Sequence, residues 1–164
     1  MRNLFLYLLF AASLSAQQAT AAANKAPDIN LPAASGMVQL DDLSGKVIYL
    51  DFWASWCQPC KQSFPWMNQM KQSYADQGFE VLAVNLDKDR ELADQFLSKM
   101  DVNFIVAFDE DGQSASDYKL KGMPSSFLID RDGSIHAAHI GFRDEDKKQL
   151  EQAIIDLLNA RPER

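Results

Sequence analysis

Cys57 and Cys60 are the only cysteines in this 164-residue chain, and two residues, Gln58 and Pro59, separate them. Two thiols at that spacing can be a structural staple, half of a metal site, or a pair that exchanges disulfides. A staple gains more from closing a long loop, because the entropy removed from the unfolded chain grows with loop length. Cys57 and Cys60 close almost the shortest loop available. A zinc site would need His136 and His139 as well, but these lie three apart in a predicted strand and so face opposite ways. No metal site is expected, and both histidines read as ordinary strand residues. What remains is exchange, in which one thiolate attacks a partner's disulfide and the second thiol resolves the mixed disulfide.

The surroundings of the pair support that chemistry. Trp56, Cys57, Gln58, Pro59 and Cys60 sit where an apolar, strand-forming run hands over to a helical pattern, which puts Cys57 at or beside a helix's first turn. Unpaired amides and the helix dipole there stabilise a thiolate. Cys60 follows on the same helix face, within reach of any disulfide formed by Cys57. Stabilising the reduced pair by about 1.4 kcal/mol raises its potential by about 30 mV, so the intervening dipeptide controls redox poise. Gln58 and Pro59 supply no cation, and a moderately or strongly reducing pair is expected.

The elements that must position the cysteines follow from periodicity. Val47 to Trp53 runs Val-Ile-Tyr-Leu-Asp-Phe-Trp, a strand expected to be covered on both faces, in which Asp51 is the one charge. Phe64, Met67, Met70 and Tyr74 predict a helix over Pro59 to Gln77, ended by Gly78 and kinked at Pro65. Phe79 to Leu86 is a second buried strand. A helix from about Asp89 carries Leu92, Phe96, Leu97 and Met100, and a short strand over Phe104 to Phe108 follows.

Phe127 to Ile129 and Ile135 to Ile140 flank Asp130-Arg131-Asp132-Gly133, a hairpin signal. The same turn and Asp109-Glu110-Asp111-Gly112 lack the ligands of a calcium loop at the first and twelfth positions. Leu150, Ala153, Ile154, Leu157 and Leu158 mark a final helix with Asp144 as its expected N-cap. This order of elements implies an α/β fold with a mixed sheet and helices on both faces.

At the N-terminus Arg2, the apolar stretch Leu4 to Ala12 and the small residues before Asn24 read as a secretory signal peptide over 1–23, removed on export. The expected organisation is then a lead-in or hairpin over 24–45 and one domain over 46–160. A formal charge of -7 disfavours polyanions, so no nucleic-acid partner is expected.

The run Asp51-Phe52-Trp53-Ala54-Ser55-Trp56-Cys57-Gln58-Pro59-Cys60 resembles the active-site signature of the thioredoxin superfamily. Pro65 matches that family's helix proline, and Lys121-Gly122-Met123-Pro124-Ser125-Ser126-Phe127 resembles its cis-proline loop. The lead-in before Val47, the insertion between Asp89 and Phe108 and the export signal together resemble the TlpA/ResA-type branch of exported thiol:disulfide oxidoreductases.

The resemblance implies a thioredoxin-like fold with an extra N-terminal hairpin and a helix-strand insertion. It implies that Cys57 and Cys60 are catalytic, working through a redox-active disulfide with no other cofactor. It implies a cis Met123-Pro124 bond and a substrate-contacting surface made by Trp56, Gln58, Pro59, Met123 and Pro124. Asp51 would be the buried carboxylate that takes or gives the Cys60 proton.

Disulfide-containing proteins are the implied substrates, and a membrane thiol-reductant conductor of the DsbD/CcdA type is the implied source of electrons. A monomer in the bacterial periplasm is expected, with cytochrome c maturation as one setting. Members devoted to that task often carry an acidic residue after the cis-proline, where Ser125 stands here. A disulfide-forming oxidase and a non-redox binding module or chaperone are the competing readings.

Overall fold

The computed structural model describes residues 25–160. Asn30–Ala33 (β1) and Gly36–Gln39 (β2) form an antiparallel hairpin that turns at Ala34 and Ser35, and Gly36 leaves the turn with a positive φ of 119°. A 3-10 turn over Leu40–Leu43 leads to Val47–Trp53 (β3). Then come the helix Gln58–Tyr74 (α1), Phe79–Asn85 (β4) and Arg90–Leu97 (α2). Ile105–Phe108 (β5), the short helix Gln113–Asp117 (α3), Ser125–Ile129 (β6), Ile135–Ile140 (β7) and Lys147–Asn159 (α4) complete the chain.

The seven strands form one sheet in the order β2-β1-β5-β4-β3-β6-β7. β3, β4 and β5 are parallel, while β6 runs antiparallel to β3, β7 to β6, and β1 to β5. Central position explains the unbroken apolar runs, since every residue of β3 and β4 is buried. Side chains alternate across the sheet. Val47, Tyr49 and Trp53 join the core under α1, α2 and α4, in which Phe64, Phe96 and Ile154 are also buried. Ile48, Leu50 and Phe52 face a second core closed by Ala26, Ile29, Leu40, Leu43 and Tyr118.

Two local differences from the sequence reading have physical causes. The last helix does not begin at Asp144. The Arg143 N–H donates to the Asp146 carboxylate at 2.9 Å, which folds Asp144–Asp146 into a 3-10 turn and makes Asp146 the residue before α4. α2 ends at Leu97, where the i→i−4 ladder that closes with Ser98 on Asp94 gives way to i→i−3 bonds from the Lys99 and Met100 N–H groups to the Phe96 and Leu97 carbonyls; Met100 packs on the core from outside the helix. α1 contains Pro65 in its interior, where the missing N–H leaves no donor for the i−4 carbonyl of Lys61.

The short helix α3 carries no apolar periodicity. It exists because Asp109, buried at the end of β5, accepts hydrogen bonds from the Gly112, Gln113 and Ser114 N–H groups. The segment read as a signal peptide lies outside the described residues. Among the described residues no helix is long and apolar enough to cross a membrane.

Candidate functional site

β3 delivers the chain at the carboxyl edge of the parallel strands, where open α/β sheets place their sites. The turn Ala54–Trp56 then leads into α1, with Cys57 as the residue capping that helix. Its backbone is extended (φ -80°, ψ 106°), and its Sγ accepts the Cys60 N–H at 3.3 Å. A free helix-terminal amide therefore points at the sulfur that would carry negative charge. Pro59 is accommodated in the first turn, where no intrahelical partner for an N–H is required.

Cys57 and Cys60 are joined as a disulfide, with Sγ atoms 2.03 Å and Cα atoms 5.3 Å apart. Burial distinguishes them less than thiol roles suggest: Cys57 is 3% exposed and Cys60 fully buried. An openly accessible attacking sulfur is thus not what the oxidised pair presents. Only a sliver of Cys57 reaches the surface, while the preceding residue, Trp56, is 69% exposed. Gln58 is also exposed and Pro59 half-buried. The Ser63 hydroxyl donates to the Cys60 carbonyl at 3.0 Å, anchoring the inner cysteine's turn.

Asp51 lies on the same face of β3 as Tyr49 and Trp53, which is the face that α1 and the cysteines cover. It is 1% exposed, and its Oδ2 has no hydrogen-bond partner among the described residues. Burial pushes its carboxyl well above the usual carboxylate range. Burial and then the Asp51 charge push the neighbouring Tyr49 phenol up as well, while that phenol donates to the Ser126 hydroxyl at 2.9 Å. A buried acid with one idle oxygen can hold or release a proton, which a purely structural acid with every lone pair bonded could not do as readily.

The register Phe52↔Ser125 sets Pro124 beside the end of β3, at the same sheet edge as the cysteine turn. The Met123–Pro124 peptide bond is cis, and Pro124 is buried. Met123 is part of the layer packed against the core that contains both cysteines. The Pro124 carbonyl accepts the Gly141 N–H at 2.8 Å, while neither the N–H nor the C=O of Met123 is used in a backbone hydrogen bond among the described residues.

His136 and His139 take no part in the site. His139 pairs with Asp146 at 3.3 Å, and among the described residues no group of three or more His, Cys, Asp or Glu could hold a metal.

Sequence reasoning missed Asp87, which is 3% exposed. Its carboxylate takes hydrogen bonds from the Ser55 N–H at 2.8 Å, the Ser55 hydroxyl at 2.9 Å and the Asn85 side-chain amide at 2.7 Å. The available signal was an acid at the carboxyl end of a buried strand that neighbours the strand bearing the cysteine turn.

A thioredoxin-like sheet that presents a Cys-X-X-Cys disulfide at a helix N-terminus beside a proline loop defines a class of proteins built for thiol-disulfide exchange. Comparison with known proteins agrees. The Redoxin family profile matches residues 21–154, and the chain belongs to that family.

It is 36% identical over 114 residues to the thiol-disulfide oxidoreductase ResA of Bacillus cereus, covering 70% of this chain and 65% of that protein. To ResA of Bacillus subtilis it is 32% identical over 130 residues, covering 79% of this chain and 73% of that protein. A Chlorobium tepidum crystal structure, provisionally assigned as a thiol:disulfide interchange protein DsbE, superposes with a TM-score of 0.82 at 54% identity. That match covers 83% of this chain and 96% of the other. The chain spans slightly under two thirds of the length of the curated relatives it matches first, at 65% and 60%.

Proposed function

We propose that this protein is an exported thiol:disulfide oxidoreductase that works as a reductase through Cys57 and Cys60. The observation that carries the reading is Cys57 at the cap of α1 with its sulfur on the Cys60 amide. In the reduced protein the Cys57 thiolate attacks a substrate disulfide, forming a mixed disulfide and releasing one substrate thiolate. The Cys60 thiolate, its proton taken by Asp51, then attacks Cys57. The intramolecular disulfide closes, the second substrate thiolate leaves, and the substrate has gained two electrons.

The intervening dipeptide supports the reducing direction too. Gln58 and Pro59 add no cation that would stabilise the thiolate. A less stable reduced form means a lower potential. Substrate would be held as an extended segment that pairs with the free Met123 backbone groups across Pro124, with Trp56, Gln58 and Pro59 as the opposite wall.

No cofactor beyond the cysteine pair is required by this cycle. A reductase in an oxidising compartment needs recharging, and a membrane conductor of the DsbD/CcdA type fits that need. The apolar N-terminal stretch favours the bacterial periplasm as the place of action. Cytochrome c maturation is one setting in which such a monomeric reductase would serve.

The test is reduction of insulin by dithiothreitol together with the redox equilibrium against glutathione. Catalysis that vanishes in Cys57→Ser and a potential near thioredoxin's, about -270 mV, are expected. A potential near that of the oxidant DsbA, about -120 mV, would reverse the direction, and unchanged catalysis in Cys57→Ser would leave only a binding module.

A further inference from the structure

We propose that Asp87 is a positioning residue for the exchange reaction: its carboxylate grips Ser55 and thereby fixes the turn that carries Trp56 and Cys57. The proposal rests on Cys57 being the exchanging sulfur, and not on the direction in which electrons flow.

A carboxylate is seldom this deeply buried without a cation, and among the described residues none of the ion pairs involves Asp87. Its needs are met by donors alone. The Ser55 N–H and the Asn85 side-chain amide reach Oδ2, and the Ser55 hydroxyl reaches Oδ1. Asn85 closes the arrangement from the other end, since its side-chain carbonyl accepts the Asp87 N–H at 3.1 Å. Asn85 itself is fixed as the last residue of β4, in register with Trp53 and Phe108. The Leu86 N–H adds a bond of 2.9 Å to the Trp53 carbonyl. A rigid strand therefore holds an amide, the amide orients a carboxylate, and the carboxylate takes both donors of one serine.

That serine is the middle of the only segment between β3 and α1. Ala54 is buried and its carbonyl accepts the Cys57 N–H at 3.0 Å, so the half-buried Ser55 and the exposed Trp56 form the outer side of a tight turn. Holding Ser55 by backbone and side chain removes the freedom of that turn. The consequence falls on Cys57, whose sulfur sits at 3.3 Å from the Cys60 amide and has little distance to spare. A turn free to swing by a few tenths of an ångström would lose that contact part of the time, and with it some of the thiolate's stabilisation.

Two variants separate positioning from charge. Asp87→Asn and Asp87→Ala remove the same charge, but asparagine keeps an acceptor for the Ser55 N–H and alanine keeps nothing. Alkylation of Cys57 in the reduced proteins is followed against pH, alongside the glutathione equilibrium. The expected result is a thiolate fraction at neutral pH about tenfold lower in Asp87→Ala than in Asp87→Asn. The matching potential is about 30 mV more negative. Coincident profiles in the two folded variants would overturn the proposal, because a merely structural role would change stability without moving either readout.

Should Asp87→Ala fail to fold, the wild-type protein decides by amide hydrogen exchange. A Ser55 amide protected as well as those of β3 supports the grip, and one exchanging as fast as Trp56 refutes it. Failure here is distinct from failure of the reductase reading, which is judged by Cys57→Ser and by the absolute potential of the wild type.

Discussion

Replacing Asp51 by asparagine should make the oxidised protein less sensitive to pH, with a crossing in stability that can be calculated. In the folded state burial holds the Asp51 carboxyl protonated well above the usual range, whereas the unfolded chain ionises near pH 4. Between those two points the native state binds a proton that the unfolded state has released. Stability is therefore complete below the unfolded value and falls as pH rises towards the folded one, by about 1.4 kcal/mol for each pH unit.

Asparagine cannot ionise, so it lacks this slope. It pays instead for an amide placed where Oδ2 has no partner, about 1–3 kcal/mol at every pH. Wild type should be the more stable at pH 4, and the difference should move in favour of Asp51→Asn as pH rises from the unfolded value towards the folded one, with a limiting slope of about 1.4 kcal/mol per pH unit. Urea unfolding of the two oxidised proteins reads this directly. At that limiting slope the relative midpoint should shift by roughly half a molar to one molar per pH unit. Other titrating groups cancel in the difference when they lie apart from Asp51. Parallel stability profiles would refute the claim that this carboxyl is buried as an acid.

The same substitution should slow resolution by Cys60 more than attack by Cys57 in stopped-flow exchange with a model disulfide; equal effects on both steps would remove the proton role from Asp51. Cys60→Ser should trap mixed disulfides through Cys57 in a native extract, and recovery of none would count against exchange with proteins. Trp56→Ala should leave stability within about 0.5 kcal/mol, since the ring is mostly exposed, while raising KM several-fold for a protein disulfide with kcat retained. A fall in kcat at constant KM would place Trp56 in the chemistry instead of the substrate surface.

Periodicity made the core of the fold legible. β3 and β4 are fully buried on both faces, and that condition writes itself into the sequence as runs such as Val47 to Trp53. The helix bearing Phe64, Met67 and Met70 was equally plain, as was the cysteine spacing. What escaped were features set by polar side chains reaching backbone across the sequence. Asp109 builds α3 by collecting amides from residues that have no apolar pattern, and Asp146 moves the start of α4 by bonding Arg143.

Asp87 belongs with these, because only the parallel register of β3 with β4 brings it to Ser55. Asp51 is the instructive contrast. It was visible as a charge inside an apolar strand, yet its lack of a partner for Oδ2 is a property of the packed neighbours and not of the strand itself. The near-complete burial of Cys57 is likewise a matter of packing at the turn, which residue type alone does not report.

Reduced protein, pulsed with iodoacetamide at neutral pH and analysed by peptide mass, tests the central assignment most directly. Cys57 should be modified at least tenfold faster than Cys60, at a rate above that of an unperturbed thiol of the same exposure. Equal and sluggish modification of the two sulfurs would contradict a thiolate held at the N-terminus of α1.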